Sequence, residues 1–154
     1  GGMITQWHLS NVVNRNFVDK NYEVTPEMKK KLTWTRQQSE PSGTINLAKF
    51  IRPTDTARTI VVKVIIESGS EQVKTLSFGF SDYVTVFLND KAVYGGSDNF
   101  LSRDYRFLGT MGFFDRLFLP LKRGANELWF VVSEDFGGWG LKAKLDDMTG
   151  ISLK

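Results

Sequence analysis

The chain has 154 residues, of which 41% are hydrophobic and 24% charged; this suits one domain that buries a core unaided and excludes an intrinsically disordered chain. Zero cysteines exclude a disulfide framework, a Cys-ligated zinc and a thiol nucleophile, and leave the compartment open. The net charge is +3, the only basic run is Lys29-Lys30-Lys31 without interleaved aromatics, and no apolar run reaches the ~20 residues that span a bilayer, so neither nucleic acid nor a membrane span is expected. The N-terminus lacks the basic start and apolar centre of a signal peptide, and Gly1-Gly2 ahead of Met3 reads as a remnant of cloning. Residues 1–154 read as a single domain, of a kind that can be cut from a longer protein.

In chain order, Ile4 to Ser10 predicts a first strand in which Trp7 and Leu9 share a face and His8 turns the other way. His8 has no acid near it in sequence and receives no catalytic role. Asn11 to Lys31 is polar, and within it Thr25-Pro26-Glu27 starts a helix with a capping hydroxyl, a proline at the first helical position and an acid. Leu32 limits that helix to one or two turns. Trp34 follows, and Glu40-Pro41-Ser42-Gly43 is loop chemistry ahead of a short strand over Thr44 to Phe50, where Ile45 and Leu47 alternate.

Arg52 to Thr56 is a second loop, and Thr59 to Glu67 is the most strongly β stretch, with Ile60, Val62, Val64 and Ile66 on one face and Val61, Lys63 and Ile65 on the other. Beyond the turn Ser68-Gly69-Ser70-Glu71, Leu76, Phe78 and Phe80 share one side of a strand in which Gly79 marks a bulge or close packing. Val84, Val86 and Leu88 then alternate with Tyr83, Thr85 and Phe87; apolar residues on both faces indicate a central strand. Asn89-Asp90-Lys91 supplies a turn, and Ala92-Val93-Tyr94 completes a hairpin. Strands are also expected over Tyr105 to Phe114, Arg116 to Leu121, Glu127 to Glu134 and Trp139 to Leu145. Between the second and third of these, Gly124 can take a positive φ and Asn126 can hydrogen-bond the nearby backbone. Roughly nine short strands and one minor helix predict an all-β chain folded as a β-sandwich. Its expected interior holds Trp7, Ile60, Val62, Phe78, Val84, Val86, Leu119, Leu128, Phe130 and Leu141.

Two loop segments carry the polar chemistry. In Asp135-Phe136-Gly137-Gly138-Trp139-Gly140 the glycines free the backbone beside a large flat ring, which either stacks on the apolar face of a pyranose or, in phase with Leu141, starts a core strand. In Gly95 to Arg106, the residues Asp98, Asn99, Arg103, Asp104 and Arg106 offer the fixed donors and acceptors a sugar needs, or else hold the loop by mutual salt bridges, Arg103 with Asp104 or Arg106 with Asp115. Arg103 and Arg106 are three residues apart and face opposite ways in an extended strand, and Asp98, Asp104 and Asp115 balance them, which favours a neutral glycan over an acidic one. No nucleophile elbow, metal-binding histidine pair or phosphate loop is present. Glu134 and Asp135 are adjacent, so on a strand they point apart rather than face each other across a cleft, and the chain is expected not to be an enzyme.

Phe78 to Asp90, containing Val84-Thr85-Val86-Phe87-Leu88-Asn89, and Leu119 to Val132, containing Leu121-Lys122-Arg123-Gly124-Ala125-Asn126, resemble the galactose-binding-domain-like jelly roll attached to many glycoside hydrolases. The likeness spans roughly Thr44 to Leu145, with Asp90 where that superfamily's turn usually has glycine. It implies a jelly-roll β-sandwich acting as a non-catalytic carbohydrate-binding-type module, accessory to a glycoside hydrolase or similar polysaccharide-acting enzyme. The alternative is a structural spacer or protein-interaction domain with no glycan ligand. Under the first reading, Asp98, Asn99, Arg103, Asp104, Glu134, Asp135 and Trp139 are the ligand-binding candidates. The partners implied are a polysaccharide or oligosaccharide and a covalently linked catalytic domain, in an extracellular or periplasmic setting. No cofactor is expected. A structural calcium is compatible with the resemblance, with Asp98, Asn99 and Asp104 as oxygen ligands that lack EF-hand spacing.

Overall fold

Alternation with a period of two, carried by β-branched and aromatic residues, builds two antiparallel sheets laid face to face. The computed structural model describes residues 2–18, 22–50, 57–97, 115–134 and 138–154. The larger sheet contains β1 (Gln6–Ser10), β2 (Val13–Asn14), β3 (Trp34–Gln38), β5 (Ala57–Ser68), β7 (Tyr83–Leu88), β8 (Lys91–Ser97), β10 (Gly124–Ser133) and β12 (Ile151–Leu153). Its order is β3-β1-β5-β10-β7-β8, with β2 and β12 also paired to β5. The smaller sheet contains β4 (Ile45–Asn46), β6 (Gln72–Ser81), β9 (Asp115–Leu121) and β11 (Gly140–Leu145), ordered β4-β11-β6-β9. From β5 onward the chain changes sheet at each connection except the β7–β8 hairpin, so the two inner faces are sewn together by sequence-distant strands. This is the expected all-β jelly-roll sandwich.

The core lies between the sheets. Ile60, Val62, Val64 and Ile66 of β5, Leu128, Phe130 and Val132 of β10, and Val84, Val86 and Leu88 of β7 meet Leu76, Phe78 and Phe80 of β6, Leu119 and Leu121 of β9, and Leu141, Ala143 and Leu145 of β11. The Trp7 ring stands edge-on to Phe130 with centroids 5.6 Å apart, and Phe78 meets the Tyr94 ring edge-on at 5.1 Å. Every residue expected inside is buried here.

The opposite face of the larger sheet carries a second apolar cluster. Val61, Phe87, Trp129 and Val131 are covered by Val24 and Leu32, with Val13, Phe17, Val18 and Trp34 packed around them. The covering segment contains α1 (Pro26–Lys30), where the Thr25 hydroxyl accepts a hydrogen bond from the Met28 N–H at 3.3 Å and proline occupies the first turn, as expected. Lys63 stands on this face with its Nζ 3.9 Å from the centre of the Trp34 ring. Burial lowers the pKa of Lys63, the Lys29 charge lowers it further, and Glu127 opposes both.

Several local expectations change. The strand expected over Thr44 to Phe50 is only the two residues of β4, after which Leu47–Lys49 winds into a 3-10 turn whose first amide donates to the Trp139 carbonyl at 2.8 Å. Ile45 and Leu47 are nevertheless both buried. Gly79 shows no bulge: it stays in register opposite Lys142. The bulge falls instead between Val86 and Phe87, where Val93 is the extra residue on β8. Strands β2, β3 and β12 were not expected; each is short or polar, and each is held by pairing to β5 or β1 rather than by its own pattern. The strand expected over Tyr105 to Phe114 lies outside the described residues.

Candidate functional site

The residues proposed for ligand binding do not form one described site. Asp98, Asn99, Arg103, Asp104 and Asp135 lie outside the described residues, as does Arg106, and with them the oxygen set considered for calcium. Trp139 is corrected from ligand platform to core: it is 3% exposed, joins the inter-sheet cluster, and its indole N–H donates to the Val132 carbonyl at 3.1 Å. Phase with Leu141 placed the ring inside, so no face of it is open to a sugar. Glu134 is also engaged. Its carboxylate accepts from Arg58 at 3.1 Å while its amide donates to the Arg58 carbonyl, fastening the end of β10 to the start of β5. Asp115 accepts a hydrogen bond from the Tyr94 hydroxyl at 2.7 Å, and His8 Nε2 lies 3.2 Å from the Lys154 carbonyl.

A groove of about 650 Å³ opens elsewhere, on the outer face of the larger sheet where β7, β8 and β10 run side by side. The pairing register explains its floor. Thr85 lies between Val131 on one neighbour and Gly95 on the other, and Tyr83 lies opposite Ser133, so these residues form a continuous surface. A Cβ at Gly95 would meet nothing within 4 Å, which leaves this part of the floor open. The wall is the chain leaving β2: Arg15 in a 3-10 turn, then Val18 and, further on, Tyr22, which is 54% exposed.

The groove's polar groups differ in how they are engaged. The Arg15 guanidinium lies over the Tyr83 ring, its carbon 4.1 Å from the ring centre. Ser133 Oγ is hydrogen-bonded to Thr59 Oγ1 at 2.7 Å, so its role is to fix β10 to β5. Among the described residues no carboxylate lines the groove and none pairs with Arg15. In two other concavities the carboxylates present are already engaged. In one, Lys29 is paired with Asp90 at 2.9 Å, and Glu127 accepts from the Trp129 indole at 2.6 Å. In the other, Asp146 holds both Arg116 and Ser77. Among the described residues no three His, Asp or Glu side chains are grouped to hold a metal ion, and no helix is long and apolar enough to cross a membrane.

The alternation of Tyr83 and Thr85 against Val84 and Val86 put half of this surface within reach of the sequence. Arg15 had no local signal, because it lies in a polar stretch with no period and reaches the sheet only through tertiary pairing of Val13 and Asn14 with β5.

No family model matches the sequence, and no curated protein matches it. Solved structures share the fold. A beta-glucosidase from Kluyveromyces marxianus in complex with glucose matches 92% of this chain at 13% identity with a TM-score of 0.55, and the match occupies 17% of that enzyme's chain. A GH2 beta-galacturonidase from Eisenbergiella tayi bound to galacturonate matches 94% of this chain at 9% identity with a TM-score of 0.50, over 25% of its own chain. A family 35 carbohydrate binding module from an environmental isolate matches 98% of this chain and 90% of its own at 15% identity, with a TM-score of 0.48. The likeness is one of fold: this chain has the jelly-roll sandwich that forms one part of larger glycoside hydrolases.

Proposed function

We propose that this domain is a non-catalytic module that binds carbohydrate in the groove over β7, β8 and β10, as an accessory part of a polysaccharide-acting enzyme. The carrying observation is the groove's lining: the exposed Tyr22, Thr85, and Arg15 seated over the Tyr83 ring border one concave, solvent-open sheet face. A sugar ring has apolar C–H faces and a rim of hydroxyls, and aromatic surface bordered by fixed polar groups complements both. Glycoside hydrolysis requires two carboxyl groups ~5 to 9.5 Å apart across the substrate. Among the described residues the groove lining has none, which supports binding without cleavage. The fold likeness to parts of glycoside hydrolases supports a linked catalytic domain as partner.

Affinity electrophoresis through gels containing different polysaccharides tests the proposal. The wild type is expected to be retarded by at least one of them. Gly95→Leu, whose side chain enters open space, should weaken retardation about tenfold or more while leaving the circular dichroism spectrum and melting temperature unchanged. If no polysaccharide retards the wild type, the structural-spacer alternative replaces this reading.

A further inference from the structure

We infer that the groove is built for a sugar carrying a carboxylate, a uronic acid, with Arg15 as the group that recognises the acid. This rests on the carbohydrate-binding reading and narrows its ligand class.

The Arg15 guanidinium carbon lies 4.1 Å from the centre of the Tyr83 ring, a cation–π contact. A guanidinium presents its N–H donors in a planar fork, and two parallel donors match the two oxygens of a carboxylate. The contact therefore anchors the fork at the groove.

The charge around Arg15 favours the same ligand. Arg58 is paired with Glu134 and Arg116 with Asp146, both within 3.1 Å, whereas no described carboxylate pairs with Arg15. The described acids adjacent in sequence to the floor are held by other groups: Asp82 accepts from the Ser81 hydroxyl and Glu134 from the Arg58 guanidinium. Neither lines the groove. A carboxylate arriving there meets a cation with no described acid to displace, beside the Thr85 hydroxyl for the sugar's rim. Arg15 is also preorganised. The residues before it, Val13 and Asn14, pair with β5, and Phe17 and Val18 after it pack on the second apolar cluster, so little ordering is left to the binding step. This inference departs from the expectation of a neutral glycan, which was drawn from Asp98, Asp104 and Asp115 balancing Arg103 and Arg106; of these only Asp115 lies within the described residues.

The test measures titration calorimetry of the wild type, Arg15→Gln and Gly95→Leu against short oligosaccharides of galacturonate, glucuronate and mannuronate and against their carboxyl-reduced neutral counterparts. The inference expects at least one acidic oligosaccharide to bind about tenfold or more tightly than its reduced form. That preference should shrink as salt rises from about 50 to 500 mM and disappear in Arg15→Gln, whose affinities for the acidic and the reduced form should become equal. Gly95→Leu should lose both ligands. Equal affinity for acidic and neutral forms overturns the uronate assignment while leaving carbohydrate binding intact. An acidic preference that persists in Arg15→Gln overturns Arg15 as its source. If neither form of any sugar binds, the carbohydrate reading falls and the uronate assignment with it.

Discussion

Asp147 shows how one exposed carboxylate governs a buried cation. The Lys74 ammonium is 5% exposed on the inner side of β6 and is held by Asp147 Oδ2 at 3.0 Å and the Thr149 carbonyl at 2.7 Å. The Thr149 amide, then Lys74, then the Thr149 hydroxyl hold the Asp147 pKa down from 3.8 to about 2. A depressed carboxylate contributes stability that is complete above its unfolded value and is lost as pH falls through the folded one. The wild type is therefore expected to lose stability between pH 3.8 and about 2. Asp147→Asn should lack this component of the loss, so that urea midpoints of the two proteins separate at neutral pH and converge towards pH 2. Parallel midpoints across that range would remove Asp147 from the account. Asn126 is the corresponding neutral hub. Fully buried, it donates to the Lys122, Gly124 and Ile66 carbonyls and accepts from the Lys122 amide and the Asn89 side chain, tying the entry of β10 to the β7–β8 turn.

The β7–β8 hairpin turns in two residues, with φ of 51° at Asn89 and 73° at Asp90. Positive φ at both central positions matches the right-handed twist of the flanking strands and favours Asn, Asp and Gly. Asp90 bears a backbone cost that glycine avoids, and in return pairs with Lys29 on α1 at 2.9 Å. Both groups are more than one third exposed, so that ion pair contributes only about 0 to 1 kcal/mol, no more than the backbone strain it accompanies. Asp90→Gly is thus expected to be neutral or stabilising by up to about 1 kcal/mol. Asp90→Val, β-branched at positive φ, should destabilise by about 1 to 3 kcal/mol. Chemical denaturation of the two variants checks the order. A strongly destabilised glycine variant would mean that the link to α1 outweighs the turn.

Over the whole molecule, stability resides in the seam between the sheets, and the outer cluster adds a thinner layer on one side. Val86 stands at the centre of the seam, fully buried on β7 opposite Phe130 of β10. An aspartate there has no cation to meet among the core residues, and an unpaired buried charge can cost more than about 4 kcal/mol. Val86→Asp is expected to abolish the near-ultraviolet dichroism of the packed aromatics and the cooperative melt. A folded, cooperatively melting variant would show that the seam admits water. The outer layer matters for a different reason: by packing Phe17 and Val18 against it, the chain carries Arg15 to the sheet and so makes the groove's wall.

Period-two alternation was sufficient to assign the sandwich, because a residue's face on a strand follows from its parity; Ile60 through Ile66, Val84 through Leu88 and Leu128 through Val132 all obey it. Turn chemistry was equally local. Thr25-Pro26 capped a helix, Gly124 took φ of 96°, and Asn126 bonded its own turn. Trp139 was legible in phase but ambiguous in chemistry, since the same flat ring serves a core or a ligand, and only the closing of the second sheet over it decided between them. The groove was settled by contacts that parity does not encode. Tyr83, Gly95 and Ser133 become neighbours through strand pairing across long sequence separations, and Arg15 joins them because two residues of an aperiodic segment pair with β5. Local sequence determined each strand's faces and turns, whereas tertiary pairing decided which polar groups share a surface, because that depends on strand order and not on spacing.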